Sequence, residues 1–90
     1  MSASSESRRS VQLPADVDLH ARPAGLLVRA ASGYDACVTL RAGGKQADAK
    51  SILQVLSLGA TGGSQIEVET SGSEASAALD AVAGLLETLA

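Results

Sequence analysis

The chain has 90 residues, which fits one small domain. Its formal net charge of -3 argues against nucleic acid as the main partner, because phosphate binding needs clustered lysine and arginine. Hydrophobic residues make up 46% of the chain, but Tyr34 is the one aromatic residue, so the core must consist of Leu, Val, Ile and Ala and there is no stacking platform for bases.

Cysteine content and hydropathy predict the compartment. Cys37 is the single cysteine and cannot form an internal disulfide, which suits a reducing cytosol. Residues 1–10 are polar and lack an apolar signal region, and no apolar run approaches the roughly 20 residues that span a bilayer. We expect a cytoplasmic protein without a membrane partner. Cys37 is expected to be inert, and no metal site is expected from one histidine and one cysteine.

The first half of the chain predicts a tail, a strand and a helix. Residues 1–7 are predicted to be a disordered tail, and residues 8–90 one domain. Val11 and Leu13 alternate with polar residues, which predicts a strand closed by Pro14. Residues 21–32 form a helical pattern with Gly33 as its C-terminal cap. The apolar face of this helix comprises Pro23, Leu26, Leu27, Ala30 and Ala31. Proline is tolerated only in a first turn, so the helix must start close to His20.

The second half predicts two more helices and three more strands. A strand over residues 36–41, a Gly43-Gly44 turn and a strand over residues 45–49 form a hairpin. A short helix over residues 50–58 ends at Gly59 and is followed by a loop to Gly63. The last strand covers residues 65–69, and Ser71 with Glu74 resembles a capping box for a final helix. Its apolar positions are Ala75, Ala78, Leu79, Val82, Leu86 and Leu89. This order predicts an α+β fold with helices on one side of a mostly antiparallel sheet.

His20, the single histidine, stands directly before the first predicted helix. A helix N-terminus presents unpaired amide N–H groups and a partial positive charge, which stabilise anions such as phosphate. Ala21 and Arg22 are therefore predicted to bind phosphate, and the neutral imidazole is a competent nucleophile. Residue types alone leave the alternative open that His20 only caps or packs at a helix start and that Arg22 is an ordinary solvated charge.

Two segments resemble signatures of the HPr family, the phosphocarriers of the phosphoenolpyruvate-dependent sugar phosphotransferase system. Residues 19–24, Leu-His-Ala-Arg-Pro-Ala, resemble the active-site signature of that family. Residues 50–59, Lys-Ser-Ile-Leu-Gln-Val-Leu-Ser-Leu-Gly, are similar to its regulatory-serine helix. The spacing of His20 and Ser51 matches the family as well, and the resemblance covers residues 8–90.

The resemblance implies a function for three residues. His20 would carry phosphate on Nδ1, received from enzyme I and passed to an enzyme IIA domain, and Arg22 would hold the phosphoryl group in transit. Ser51 would take a regulatory phosphate from HPr kinase/phosphorylase, with a transcription regulator as a further partner. The family fold is an open-faced sandwich of four antiparallel strands and three helices. The expected protein is a monomeric carrier, not an enzyme, and needs no cofactor.

Two residues depart from the family pattern. Asp18 stands where the family usually has glycine, and a carboxylate there disfavours a phosphoryl anion unless it points away from His20. Gln54 stands where glycine is common on the regulatory helix, which bears on partner fit more than on carrier chemistry.

The second helix predicts a docking surface. Its five apolar residues are Ile52, Leu53, Val55, Leu56 and Leu58. A two-turn helix on a small domain can hardly bury them all, so part of the set, with Ile52, Leu53 and Leu56 foremost, is predicted to dock partners beside His20. Arg29 and Lys50 are predicted to be charges at its rim. The alternative is that all five belong to the core, with Leu53 under the loop at residues 60–63.

Two other functions remain open at this point. One is a non-catalytic regulatory binding module on the same fold, switched through Ser51; relatives of that kind lack the active-site histidine, so His20 with Arg22 favours the carrier. The other is a carrier for a nitrogen-related or dihydroxyacetone phosphotransferase branch. That branch would use the same chemistry with different partners, and the motif at His20 does not separate it from the sugar branch.

Overall fold

The computed structural model describes residues 6–89, and its elements follow the predicted order. They are β1 (Glu6–Gln12), α1 (Ala21–Ser32), β2 (Cys37–Ala42), β3 (Lys45–Asp48), α2 (Ile52–Leu58), β4 (Gln65–Ser71) and α3 (Ala75–Thr88). β1 already contains Glu6 and Ser7, so the prediction of a tail through Ser7 was wrong for these two residues. They pair with Ser71 and Thr70 of β4, a partner strand that local sequence does not reveal. The rest of the predicted tail, residues 1–5, lies outside the described residues.

The four strands form one antiparallel sheet in the order β1-β4-β2-β3. Along β4 the buried residues Ile66, Val68 and Thr70 alternate with more exposed polar ones, so the sheet has one core face and one open face. α3 packs on β1, β4 and β2, α2 packs on β3, and α1 packs against both other helices. The predicted α+β fold, an open-faced sandwich of four antiparallel strands and three helices, is confirmed.

Glycines shape the two predicted turns. Gly43 and Gly44 have φ values of 56° and 81°, and they join β2 to β3 where Ala42 pairs with Lys45. Positive φ at both central residues defines a primed turn, whose twist matches that of the flanking strands. Gly59 ends α2 in the left-handed conformation, with its N–H donating to the Leu56 carbonyl at 3.2 Å. The loop that follows Gly59 returns the chain to the neighbourhood of His20, because the Ala60 carbonyl accepts a hydrogen bond from the Leu19 N–H.

The start of α3 differs from the prediction. Ser71 lies in β4 and does not cap the helix, so the predicted capping box is wrong. Glu74 occupies the N-cap position, but its Oε1 accepts a hydrogen bond from the Asp35 N–H at 2.7 Å. The glutamate therefore joins the α1–β2 loop to α3, a contact between segments 39 residues apart.

The core is aliphatic, as the composition predicted. Its largest fully buried apolar side chains are Leu13, Leu27, Leu40, Ile66, Leu86, Val38, Val55, Val68 and Val82. Leu26 was predicted on the apolar face of α1 but is exposed, because α1 buries the stripe Ala24, Leu27 and Ala31 against its neighbours. Among residues 6–89, no helix has the length and apolarity needed to span a bilayer.

Candidate functional site

His20 occupies the N-cap position of α1 and points into solvent. Its backbone is extended, with φ -90° and ψ -164°, and its side chain is 71% exposed. The preceding residue, Leu19, is buried, and its N–H donates to the Ala60 carbonyl at 2.9 Å. The backbone at the site is thus anchored in the core while the imidazole is accessible to another protein.

The first turn of α1 offers amide donors to an anion. The side chain of His20 makes no capping hydrogen bond. Pro23 has no N–H, and the Ala24 N–H donates to the His20 carbonyl at 2.9 Å. The N–H groups of Ala21 and Arg22 have no helical acceptor because they precede the first helical hydrogen bond. The first turn also contains no acidic residue, so nothing within it opposes a negative charge beside the imidazole.

Arg22 is the second residue of the same helix, so its guanidinium belongs to the first turn. The residue is exposed, and its side chain makes no hydrogen bond or ion pair within the part of the chain that the structure describes. A guanidinium binds phosphate oxygens in a bidentate fork, so an unpaired arginine here can hold a phosphoryl group. Its predicted role in phosphate binding stays a prediction.

Asp18 does not point away from His20. Its Oδ1 accepts a hydrogen bond from the Gly62 N–H at 2.6 Å, and its Oδ2 lies 3.7 Å from Nε2 of His20. The carboxylate therefore faces the edge of the ring that carries Nε2. The sequence marked Asp18 as a departure from the family, but no local pattern linked it to Gly62, which lies 44 residues away.

Ser51 occupies the N-cap position of α2. Its Oγ accepts a hydrogen bond from the Gln54 N–H at 3.3 Å. The side chain of Gln54 accepts in turn from the Asp48 N–H at 2.8 Å, which ties the helix to the end of β3. This contact gives Gln54, the second departure from the family, a structural role in holding the turn that carries Ser51.

The predicted docking surface is partly exposed, and the alternative that all five apolar residues of α2 are core is wrong. Val55 and Leu58 are buried, whereas Ile52, Leu53 and Leu56 face solvent, and Leu53 is 73% exposed. Leu26 on α1, which packs against α2, is the other exposed large hydrophobic residue among those described. We call Leu26, Ile52, Leu53 and Leu56 the apolar patch. A docking role for Ile52, Leu53 and Leu56 stays a prediction.

The two predicted rim charges differ in their surroundings. Arg29, in the last turn of α1, is exposed and makes no ion pair with any residue between 6 and 89. The Nζ of Lys50 donates to the Tyr34 carbonyl at 3.1 Å. Arg29 thus has no ion pair among the described residues to give up, whereas Lys50 must release a carbonyl to bind elsewhere. The roles of both as rim charges stay predictions.

Cys37 lies on the exposed side of β2. Within residues 6–89, no three His, Cys, Asp or Glu side chains are grouped so that they could hold a metal ion.

Comparison with known proteins agrees in sequence and in structure. Residues 7–88 match the family described as "PTS HPr component phosphorylation site". The phosphocarrier protein HPr of Vibrio cholerae is 32% identical over 81 residues, covering 90% of this chain and 95% of the relative. The HPr of Bacillus anthracis superimposes with a TM-score of 0.86 at 36% identity, covering 91% of this chain and 98% of that one. Crh, the catabolite repression HPr of Bacillus subtilis, has a TM-score of 0.71 at 28% identity, with 93% and 100% covered.

An open-faced sandwich with an exposed histidine at a helix start defines a class of small carrier domains, and the comparisons place this chain within it. The chain belongs to the HPr family, the phosphocarrier proteins of the phosphotransferase system. Membership implies partners within that system, such as enzyme I and IIA domains.

Proposed function

We propose that this protein is a histidine phosphocarrier of the cytoplasm, with His20 as its phosphorylated residue. It takes a phosphoryl group derived from phosphoenolpyruvate from enzyme I and passes it to enzyme IIA domains in sugar uptake. The observation that carries the proposal is the exposed imidazole at the start of a helix whose first turn also has the amides of Ala21 and Arg22 and a guanidinium with no partner among residues 6–89. Family membership supports the same chemistry.

The chemistry uses the lone pair of Nδ1 of His20. This nitrogen attacks the phosphorus of phosphorylated enzyme I, an N–P bond forms, and the bond from phosphorus to the donor breaks with its electron pair leaving on the donor. The reverse exchange delivers the group to a IIA domain. Charge on the phosphoryl oxygens is stabilised by the amides of Ala21 and Arg22 and by the Arg22 guanidinium. The protein turns over only between two partners and is therefore a carrier.

We assign docking to the apolar patch. Four exposed apolar side chains on two packed helices supply the apolar centre that a protein interface needs. Arg29 and Lys50 add positive charge at its rim, which favours an acidic partner surface. The partners bind in turn and briefly, so a small patch is sufficient, and we expect the free protein to be a monomer.

We further propose that Ser51 is a regulatory phosphorylation site for HPr kinase/phosphorylase, read by a transcription regulator. Ser51 adjoins Ile52 and Leu53 of the apolar patch. A phosphate adds about two negative charges there at neutral pH and repels an acidic partner. Ser51→Asp is expected to slow phosphotransfer from enzyme I, with Ser51→Asn, which keeps an N-cap acceptor but adds no charge, as the matched control. An unchanged rate in Ser51→Asp contradicts this proposal.

A non-catalytic regulatory module is the second candidate. The likeness to Crh favours it, since that relative is described as a catabolite repression HPr. The exposed His20 with its unpaired Arg22 favours the carrier instead, because a binding module has no use for a nucleophile at an anion site. A nitrogen-related or dihydroxyacetone branch would use the same site with another donor.

Intact-mass measurement tests the carrier directly. The protein is incubated with phosphoenolpyruvate, magnesium and enzyme I, beside His20→Ala as the control. We expect one added phosphoryl group that is lost in acid and absent from the variant. No gain in mass, with the enzyme I active on another carrier, rejects the sugar branch and leaves a branch with its own donor or the regulatory module.

A further inference from the structure

We propose that Asp18 is a positioning residue for His20: its carboxylate holds the imidazole proton on Nε2 and so leaves the Nδ1 lone pair free to accept phosphate. The inference deepens the proposed carrier function and rests on it. The observation behind it is the carboxylate of Asp18, which lies 3.7 Å from Nε2 of an exposed histidine.

The carboxylate is fixed from its other side. Oδ1 of Asp18 accepts the hydrogen bond from the Gly62 N–H at 2.6 Å, which leaves Oδ2 directed at the imidazole. The backbone contributes as well, since the His20 N–H donates to the Asp18 carbonyl at 2.9 Å. Both residues are thus held in one short turn, and the side chain of Asp18 has little freedom to rotate away.

The loop that holds Asp18 is itself closely packed. A Cβ on Gly62 would lie 2.1 Å from the Ala15 carbonyl oxygen, so only glycine fits there. The next amide, that of Gly63, donates to the Leu13 carbonyl at 3.1 Å and to the Pro14 carbonyl at 3.3 Å. The Gly62 N–H is therefore a fixed donor. Its hydrogen bond holds the carboxylate of Asp18 in place beside the ring of His20.

The sign of the effect follows from donors and acceptors. An ionised carboxylate accepts hydrogen bonds and donates none, so it favours the neutral imidazole tautomer with hydrogen on Nε2. That tautomer carries its lone pair on Nδ1. When Nδ1 bonds to phosphorus, the ring keeps the Nε2 hydrogen and gains positive character, which the same carboxylate offsets. The distance of 3.7 Å exceeds a hydrogen bond, so a small rotation of the exposed ring must close it.

The effect is expected to be modest because both side chains are solvated. The side chains of His20 and Asp18 are 71% and 50% exposed, and exposed charge pairs change an equilibrium by about two- to fivefold. A change of that size in the tautomer ratio is measurable by NMR.

Asp18→Asn and Asp18→Ala separate positioning from support of the loop. The asparagine Oδ1 can still accept from Gly62, which keeps the loop in place, but its amide then turns a donor toward the imidazole. That donor favours a lone pair on Nε2 and hydrogen on Nδ1, the tautomer that cannot attack phosphorus. The alanine removes both interactions and leaves the ring without a preference from this side.

The experiment is ¹⁵N NMR of the His20 ring in the unphosphorylated protein at about pH 8. We expect the ratio of Nε2–H to Nδ1–H tautomer to fall in the order wild type, Asp18→Ala, Asp18→Asn, with about two- to fivefold between the ends. An unchanged Gly62 amide shift in Asp18→Asn shows that the loop is intact. Equal ratios in wild type and Asp18→Asn overturn the inference, as does a change confined to Asp18→Ala.

Chemical phosphorylation with phosphoramidate gives a second measurement without enzyme I. We expect the initial rate of Nδ1 phosphorylation, followed by ³¹P NMR, to be lower in Asp18→Asn than in Asp18→Ala, because both variants lack the carboxylate charge that disfavours a phosphoryl anion and only the asparagine turns a donor toward Nε2. Neither measurement depends on a partner protein. Failure of the intact-mass experiment with enzyme I therefore rejects phosphotransfer in the sugar branch, while equal tautomer ratios reject only the role of Asp18.

Discussion

Helix α1, which carries the proposed site, and the open face of the sheet differ in whether their arginines form ion pairs. On the open face, Glu69 of β4 accepts a hydrogen bond from Nη2 of Arg8 at 2.9 Å and pairs through its other oxygen with Arg41. On α1, Arg22 in the first turn and Arg29 in the last turn make no ion pair with any described residue. Arg8 and Arg41 thus join neighbouring strands, whereas an arginine with no partner among residues 6–89 is available to a phosphoryl group or to another protein.

Apolar exposure follows the same division. The exposed large hydrophobic residues, among those that the structure describes, all lie on α1 and α2, and none lies on the sheet. An exposed leucine costs free energy in water, which burial in a complex recovers. The comparison therefore supports the proposal that α1 and α2 bind partners while ion pairs on the open face stabilise the sheet, and each prediction below separates the two.

The largest expected effect is on phosphotransfer in Arg22→Ala. Loss of a charge-assisted clamp of about 1.5–3 kcal/mol lowers the transfer rate from enzyme I by roughly ten- to a hundredfold. The free energy of unfolding should not change, because this arginine has no partner within residues 6–89. Rates from single-turnover transfer and urea denaturation measure the two quantities.

Arg41→Ala is the matched control on the open face. It removes a partner of Glu69, so we expect a lower free energy of unfolding and an unchanged transfer rate. If Arg41→Ala slows transfer as much as Arg22→Ala does, the division between the two regions is incorrect.

Gly62→Ala is expected to disturb the surroundings of His20 through the loop that holds Asp18 and Leu19. The added Cβ would meet the Ala15 carbonyl oxygen at 2.1 Å, and overpacking of this kind costs about 1–3 kcal/mol of stability. Because the same loop holds Asp18 and Leu19, phosphotransfer should fall as well. Thermal unfolding and the transfer assay test both effects.

Gly84→Ala gives the control for that glycine substitution. Gly84 lies within α3, and a Cβ there has no other atom within 4 Å. We expect stability to rise by about 0.4–1 kcal/mol, because the unfolded chain loses freedom, with transfer unaffected. If Gly84→Ala also lost stability, the close contact would not be sufficient to explain a loss in Gly62→Ala.

Leu53→Ser tests the apolar patch with a smaller effect. Removing a leucine that becomes buried on docking costs about 1–2 kcal/mol of binding, so KM for enzyme I should rise roughly five- to thirtyfold with little change in kcat. The free energy of unfolding should stay within about 0.5 kcal/mol, since Leu53 is 73% exposed. Val55→Ala, a change at a buried residue of the same helix, should instead lose about 2 kcal/mol of stability.

Local patterns in the sequence predicted much of this arrangement. The alternation of residues 65–69 correctly predicted which side chains of β4 are buried. Pro23 and Gly33 correctly predicted where α1 begins and ends. His20 could be placed beside amide donors because a helix start is itself a local feature.

Contacts between distant segments were not predictable in this way. Glu74 was expected to cap its own helix but bonds to Asp35, and the position of Asp18 depends on Gly62. Leu26 has the spacing of a buried residue, yet it is exposed because of where α2 and α3 cover α1. In each case the outcome depends on which loop or helix packs alongside, and spacing along one segment does not encode that.

The smallest expected effect concerns the acid stability of the open face. Hydrogen bonds from Arg41 and then from Arg8 hold the pKa of Glu69 below its ordinary value of 4.5. A carboxyl with a lowered folded-state pKa contributes stability that is fully present above its unfolded value and is lost as the pH falls through the folded value. We therefore expect the contribution of Glu69 to be constant above about pH 5 and to decline below pH 4.5 as the pH falls toward its lowered folded-state pKa. Urea denaturation of wild type and Glu69→Gln should show a difference at pH 6 that narrows toward pH 3. Phosphotransfer at pH 7 should be the same in both, because this ion pair lies on the sheet and not beside His20; a slower transfer in Glu69→Gln would show that the two regions are coupled.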